Sequence, residues 1–578
     1  MMELRDYFTK DLPPKQKQYE AIRAVAFNEA AIKDIAERFG YTAQTLRMLI
    51  NRLVHDKLQL FPDIKRGPKG RHIPSETDKV IIQLRRKKML NSREITEELN
   101  RSNISIGVRT VERILTDAGF PRLRRRTDKE RGFSKEGTVI PKRSMNLSLK
   151  ALNPFRIDCK VAGIFLFLPY ILDSGIVDII QGCALPESGD IGKQQAALSM
   201  LLLKLIGNER LSHIQQYNTD AGFGVFAGLN VLPKPTYMCS YSCRTDASAV
   251  MKFQQKMIKN FNQLYPDLYQ GKTINLDFHS IPHFGEESEM EKVWCGTRGK
   301  SLRGANTFFA QDGESDSLIY TRSDIKRAES SEEIKKFINY WGAIKGIVKE
   351  TLVFDSKLTR YDILYELDKD NIKFITLRTR SKTLIEETTK IPEKEWQKVY
   401  LPIPKRKYKH VKVHESTVVL IAGQKVFRQL IVKDHGRVEP TFVISNNNEM
   451  KSAELLTIYA RRWHIENKLS DIVHFFNVNA LSSPIMIRIH FDLLWTIIAD
   501  TFYFLLAKDL RRFENCSPQK LFKQFIDMPG QIDYDGKRFT VRMRKRATTP
   551  ILLGIDKLNK EIIVPWLDNK PLRIIWTP

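Results

Sequence analysis

Lys272-Thr273-Ile274-Asn275-Leu276-Asp277-Phe278 is the stretch from which the fold is read. Apolar residues alternate through Ile274, Leu276 and Phe278, the period of a strand with one buried face, and Asp277 stands towards its end. Pro282 and Gly285 then signal a loop. Further on, Thr351-Leu352-Val353-Phe354-Asp355-Ser356 is an apolar strand that also closes on an aspartate. Between the two, residues 305–310 and Leu318–Arg322 read as strands. Residues 330–346 read as a helix with Ile334, Phe337, Ile338 and Trp341 on its apolar face. A helix over 359–368 and a strand over 372–377 follow. The order strand, strand, strand, helix, strand, helix, strand predicts a mixed α/β core.

An aspartate at the exposed end of a buried strand is held rigidly by the sheet, with its carboxylate towards solvent. Two on neighbouring strands make a hard oxygen site suited to Mg2+. Either alone is weak evidence, because strand-end aspartates also cap loops. A third carboxylate, presented by a helix, would complete a two-metal site for phosphoryl transfer. Tyr459-Ala-Arg-Arg-Trp-His-Ile-Glu-Asn-Lys468 supplies a candidate. It lies in a run without Gly or Pro, roughly 451–476, with Leu455, Leu456, Ile458, Ile465, Leu469 and Ile472 forming a helical stripe. Tyr459, Arg462 and Glu466 fall at i, i+3 and i+7 and so share a face. A solvated helix edge with a local Arg–Glu pair would look the same on spacing alone; the upstream aspartates favour a site.

Between Asp355 and this helix, after a strand at Thr441–Ser445 is set aside, residues 381–440 carry alternating patterns at 397–401, 417–421 and 425–432. The basic run Lys405-Arg406-Lys407-Tyr408-Lys409-His410 lies among them. This reads as a β-rich insertion with a DNA-facing edge or a solvated basic loop. Trp396 within it either stacks on an extruded base or packs, and packing is the simpler reading.

The N-terminal part has a different grammar. Ile32, Ile35, Ala36 and Phe39 form the inner face of one helix, Gly40 supplies a turn, and Thr42 is placed to cap a second helix carrying Leu46, Leu49 and Ile50. This is helix-turn-helix order, with Gln44 and Arg47 left to face DNA. A second copy follows: helices over 80–88 and 93–99 with Ser92 as N-cap, then 108–115 closed by Gly119, with Arg109, Thr110 and Arg113 outward. Between the copies, Lys65-Arg66-Gly67-Pro68-Lys69-Gly70-Arg71 resembles an AT-hook linker suited to a minor groove, or is a solvated linker. After them, residues 121–150 hold ten Lys/Arg against three Asp/Glu, a phosphate-contacting linker.

The 578 residues suffice for several domains, and a formal net charge of +27 points to a polyanion, by default nucleic acid. The apolar runs at 161–172 and 196–206 are too short to span a bilayer. The N-terminus has no apolar signal segment, so a cytoplasmic protein is expected. Six cysteines are no disulfide framework. Cys239 and Cys243 lack a second pair at zinc-site spacing and read as inert thiols. Residues 155–262 look mostly helical. Residues 482–508 read as a core helix, and 531–578 as β-rich, with strands at 537–543, 551–553, 562–564 and 572–576. Arg542, Arg544, Lys545 and Arg546 form a stripe there that touches DNA or edges a solvated strand.

With these residues in view, the chain resembles a DDE transposase of the bacterial insertion-sequence type. The branch is the one with a β-strand insertion before its last glutamate and a Y-x2-R-x3-E-x6-K signature. Asp277, Asp355 and Glu466 match the triad, and Tyr459 and Arg462 the signature; Val473 stands where the terminal lysine belongs, and Lys468 is out of register. The resemblance covers roughly residues 150–578, and with the N-terminal reading it gives a multidomain α/β protein. Its parts are a helix-turn-helix (1–64), an AT-hook-like linker (65–74), a second helix-turn-helix (75–126), a basic linker (127–154) and a helical region (155–265). A ribonuclease-H-like core (266–380 and 441–510) then carries the insertion (381–440), with a β-rich tail at 511–578. It implies Mg2+ or Mn2+, two ions, on Asp277, Asp355 and Glu466, and phosphate held by Tyr459 and Arg462. It also implies double-stranded DNA as element ends and target, and a homodimer on DNA. The alternative is a decayed or domesticated copy that binds DNA without cutting it.

Overall fold

The computed structural model describes residues 12–61, 75–121, 123, 143–149, 152–283, 290–295, 299–323, 325–404, 406–421, 425–480 and 485–578. The AT-hook-like segment, Arg122 with 124–126, and Lys405 lie outside them.

The chain divides into two compact units, Met1–Arg125 and Arg126–Pro578. In the first, helices α1 (Pro14–Ala26), α2 (Ile32–Arg38) and α3 (Ala43–Val54) close on Ala21, Ile22, Ile35, Ala36, Phe39, Leu46 and Leu49. Gly40 takes φ +63°, strained for other residues, to turn between α2 and α3. Thr42 caps α3 as expected, accepting from the Thr45 N–H at 3.1 Å. α1 adds a helix ahead of the two that the motif predicts. Gln44 and Arg47 are exposed on α3.

Helices α4 (Ser75–Lys88), α5 (Ser92–Arg101) and α6 (Val108–Asp117) repeat the plan around Ile81, Ile95, Leu99, Val111, Ile114 and Leu115. The N-cap of α5 is Asn91, not Ser92. Its side chain accepts from the Arg93 and Glu94 N–H groups while Glu94 reaches back to the Asn91 N–H. Arg109 and Arg113 are exposed and Thr110 is half-buried. Arg85 is buried and donates to the Leu90 and Pro121 carbonyls at 2.6 and 3.3 Å, tying both ends of this helical group together.

The second unit is built on two sheets. The first strand, β1 (Phe155–Cys159), departs from the mostly helical reading of 155–262: it pairs antiparallel with β12 in the tail. Helices α7 (Lys193–Leu205) and α8 (Ala247–Leu264) follow as expected. The larger sheet then begins with β2 (Thr273–Pro282), β3 (Lys292–Cys295), β4 (Lys300–Asp312) and β5 (Leu318–Arg322). Next come α9 (Glu333–Lys345), β6 (Thr351–Phe354), α10 (Tyr361–Lys369) and β7 (Phe374–Leu377). The predicted order therefore holds, with β3 as an unforeseen extra strand.

The insertion opens with a helix that its alternating pattern concealed, α11 (Lys382–Thr389), and continues as β8 (Gln397–Tyr400), β9 (His410–Val419) and β10 (Val426–Lys433). With β11 (Thr441–Ser445) these strands extend the same sheet, in the order β3-β4-β2-β6-β7-β11-β10-β9-β8, with β5 on β4. Trp396 is buried with Leu384, Ile431 and Phe442, and Lys433 lies 3.9 Å above its ring. It packs.

The predicted single helix over 451–476 is two: α12 (Ser452–Arg461) and α13 (Trp463–Phe475), jointed at Arg462. Then α14 (Met486–Asp509) passes through the core. By length and composition it could cross a membrane, but 89% of its apolar window is buried in protein. The tail forms a second sheet, β12 (Gly530–Tyr534), β13 (Phe539–Arg544), β14 (Ile562–Val564) and β15 (Lys570–Thr577), in the order β1-β12-β13-β15-β14. The expected strand at 551–553 is helix instead, within α15 (Thr549–Leu553), because Pro550 fits the first helical turn and lacks the N–H a strand needs. Arg542 of the basic stripe is paired with Asp533 at 2.6 Å.

Candidate active site

Two parallel strands set the site. β2 and β6 pair in register from Thr273↔Thr351 to Leu276↔Phe354, so the next residues, Asp277 and Asp355, emerge side by side at the ~4.8 Å spacing of neighbouring strands. β2 does not end there: it runs on to Pro282 against β4. Asp277 is thus mid-strand and rigid, while Asp355 opens the loop after β6 and accepts from the Lys357 N–H at 3.0 Å.

Helix α13 packs over β2 and brings the third carboxylate. The joint before it places Arg462 between the acids. Its Nη1 donates to Asp277 Oδ2 at 2.9 Å and its Nη2 to Glu466 Oε1 at 2.7 Å. Arg462 and Asp277 side chains are each 13% exposed, Glu466 58%. Burial and the charge of Asp355 push the Asp277 carboxyl up to about 6, against the pull of Arg462. Burial opposes the charge on Arg462, but Asp277, Tyr459 and Glu466 outweigh it and hold the guanidinium above its ordinary pKa. Burial likewise raises the Tyr459 phenol to about 12.

The structure therefore brings together Asp277, Asp355, Glu466, Tyr459 and Arg462. As donor chemistry, three carboxylates suit a hard divalent cation. As placed, they do not fit one. Among the described residues no group of three or more His, Cys, Asp or Glu is arranged to hold an ion, and the Arg462 guanidinium spans Asp277 and Glu466. Arg462, expected to face phosphate, faces carboxylates here.

Sequence reasoning passed over two neighbours. Lys357 lies near both aspartates, 4.7 Å above the Phe278 ring and 3.4 Å from Asn306 Oδ1; burial lowers its pKa while the aspartates raise it. Its place two residues after Asp355 was the available signal. His279, two residues past Asp277, is bonded to Asn479 at 2.7 Å, and burial lowers its pKa; nothing in the sequence marked it. Lys468 turns away from the site to pair with Asp500 at 2.8 Å, so it does not replace the signature lysine missing at Val473. Beside the site a cavity of about 310 Å³ is lined by Tyr459, Arg462, Trp463 and Glu466 together with Arg406, His435 and Arg437 of the insertion. Cys239 and Cys243 remain free thiols.

Residues 273–500 match the model described as "Transposase DDE domain", a span that holds all five site residues and supports a DDE-type transposase. No curated protein matches the chain. Among solved structures, a piggyBac transposase synaptic complex with hairpin DNA overlaps 60% of this chain and 78% of its own, at 11% identity and TM-score 0.31. A pre-cleavage Mos1 transpososome overlaps 63% and 78%, at 9% identity and TM-score 0.14.

Proposed function

We propose that the chain is a DNA transposase that binds the ends of its own insertion element and catalyses metal-dependent strand cleavage and strand transfer. The observation that carries this reading is the pairing of Asp277 and Asp355 on neighbouring parallel strands, with Glu466 and Arg462 delivered to them by α13. Its finer parts follow from the residues. Two Mg2+ or Mn2+ ions are the cofactor it calls for, with Asp277, Asp355 and Glu466 as ligands. Tyr459 and Arg462 contact the terminal phosphate, as in the Y-x2-R-x3-E-x6-K branch. Gln44, Arg47, Arg109, Thr110 and Arg113 face the element ends, and the protein acts as a homodimer on double-stranded DNA. A net charge of +27 suits that partner.

The test is incubation of the full chain with Mg2+ and DNA carrying the sequences that flank its gene. Cleavage at the element boundary is expected. Specific binding without cleavage would favour the decayed, DNA-binding reading instead.

A further inference from the structure

One cation serves two carboxylates at the heart of the site. The two terminal nitrogens of Arg462 are divided between Asp277 and Glu466, so an ion held by both acids would have to occupy the ground the guanidinium now holds. The three groups are not equally fixed. Asp277 is clamped in mid-strand, whereas Glu466 is an exposed arm on the first turn of α13, and an exposed i,i+4 pair is weak and screened by salt. Arg462 itself sits at the joint between α12 and α13, outside both helices. Its other neighbour is the cavity that it lines together with Glu466 and with Arg406, His435 and Arg437 of the insertion. Arg406 and Arg437 supply positive charge there that attracts a phosphate, while burial and the neighbouring arginines lower the His435 pKa and favour its uncharged ring; a guanidinium fork matches phosphate as well as carboxylate.

We propose that Arg462 exchanges partners: in the free protein it bridges Asp277 and Glu466 and keeps a divalent cation out, and when a phosphodiester enters the cavity it moves to that phosphate and releases both acids. This rests on the reading of DNA as substrate. It makes cation binding and DNA binding mutually dependent, so that the protein is not loaded with metal until DNA is in place.

The test is calorimetric titration of the full chain with MnCl2 alone, then again with a short duplex of arbitrary sequence. Arg462→Gln is expected to bind Mn2+ at least about tenfold more tightly than wild type without DNA. Arg462→Lys, which keeps a charge but cannot span both acids, should fall between. The duplex should tighten Mn2+ binding to wild type and leave Arg462→Gln unchanged. Equal or weaker Mn2+ binding by both variants overturns the proposal, even if the wild type cuts DNA. Failure of the duplex to tighten wild-type binding overturns the exchange. Tighter binding by the variants together with the duplex effect upholds it, whether or not element ends are cleaved.

Discussion

Helix α13 contributes one residue to each of two ion-paired groups, Lys468 and Glu466, and the groups differ in kind. In one, Lys468 meets Asp500 of α14 at 2.8 Å, with side chains 13% and 4% exposed. In the other, Arg462 is shared by Asp277 and the open Glu466. The first is a contact between two core helices in which both side chains are largely buried, with Asp471 also close to Lys468. The second is a cation with more acid around it than it can satisfy, opening on a cavity. A closed pair fixes where the helix lies; an over-subscribed, half-open one can change partners. The same helix thus combines an anchor with a movable charge, and the anchor keeps Glu466 over β2 while its pairing changes.

Breaking the anchor should have the largest effect on stability. Lys468→Met leaves Asp500 buried without its cation and should cost about 3–5 kcal/mol in urea unfolding, while the double variant Lys468→Met with Asp500→Leu should recover most of that loss. No recovery would mean that the pair is not the closed contact described. Next comes acid. His490 is buried on α14; burial, helped by Arg322, lowers its pKa from 6.5 to about 4. Its neutral form is favoured in the fold, so this contribution is complete above pH 6.5 and is lost as pH falls towards 4, about 3 kcal/mol in all. Unfolding free energies from pH 7 to 4 should lose that part of their slope in His490→Leu. Smallest is the open face: Glu466→Gln should change stability by under about 1 kcal/mol, less still in high salt. A loss as large as that of Lys468→Met would erase the contrast.

Much of the core was legible. Alternation exposed β2, and continuous apolar runs exposed β6 and β11, because strands buried on both faces leave no polar residues. The end of the parallel register after Leu276 and Phe354 is what sets Asp277 beside Asp355; Asp355 was visible at the close of an apolar run and Asp277 as a carboxylate in an alternating strand. Other features depend on partners remote in sequence. β1 is a strand only because β12, almost 400 residues later, offers an edge, and Lys468 reads as one more basic residue until Asp500 is placed against it. Asn91 outranked Ser92 as a cap because Glu94 stands three residues on to complete the reciprocal pair. The joint at Arg462 has no Gly or Pro to announce it, and it is the feature that turns this side chain towards the aspartates.

If Asp277 and Asp355 are the heart of a DNA-cutting site, Asp355→Asn should disable it. The variant keeps the shape of the loop after β6 and removes one negative charge. In the cleavage assay with Mg2+ and the element ends, a loss of at least about a thousandfold is expected, with binding of the ends retained. Cleavage at a rate near wild type would contradict it.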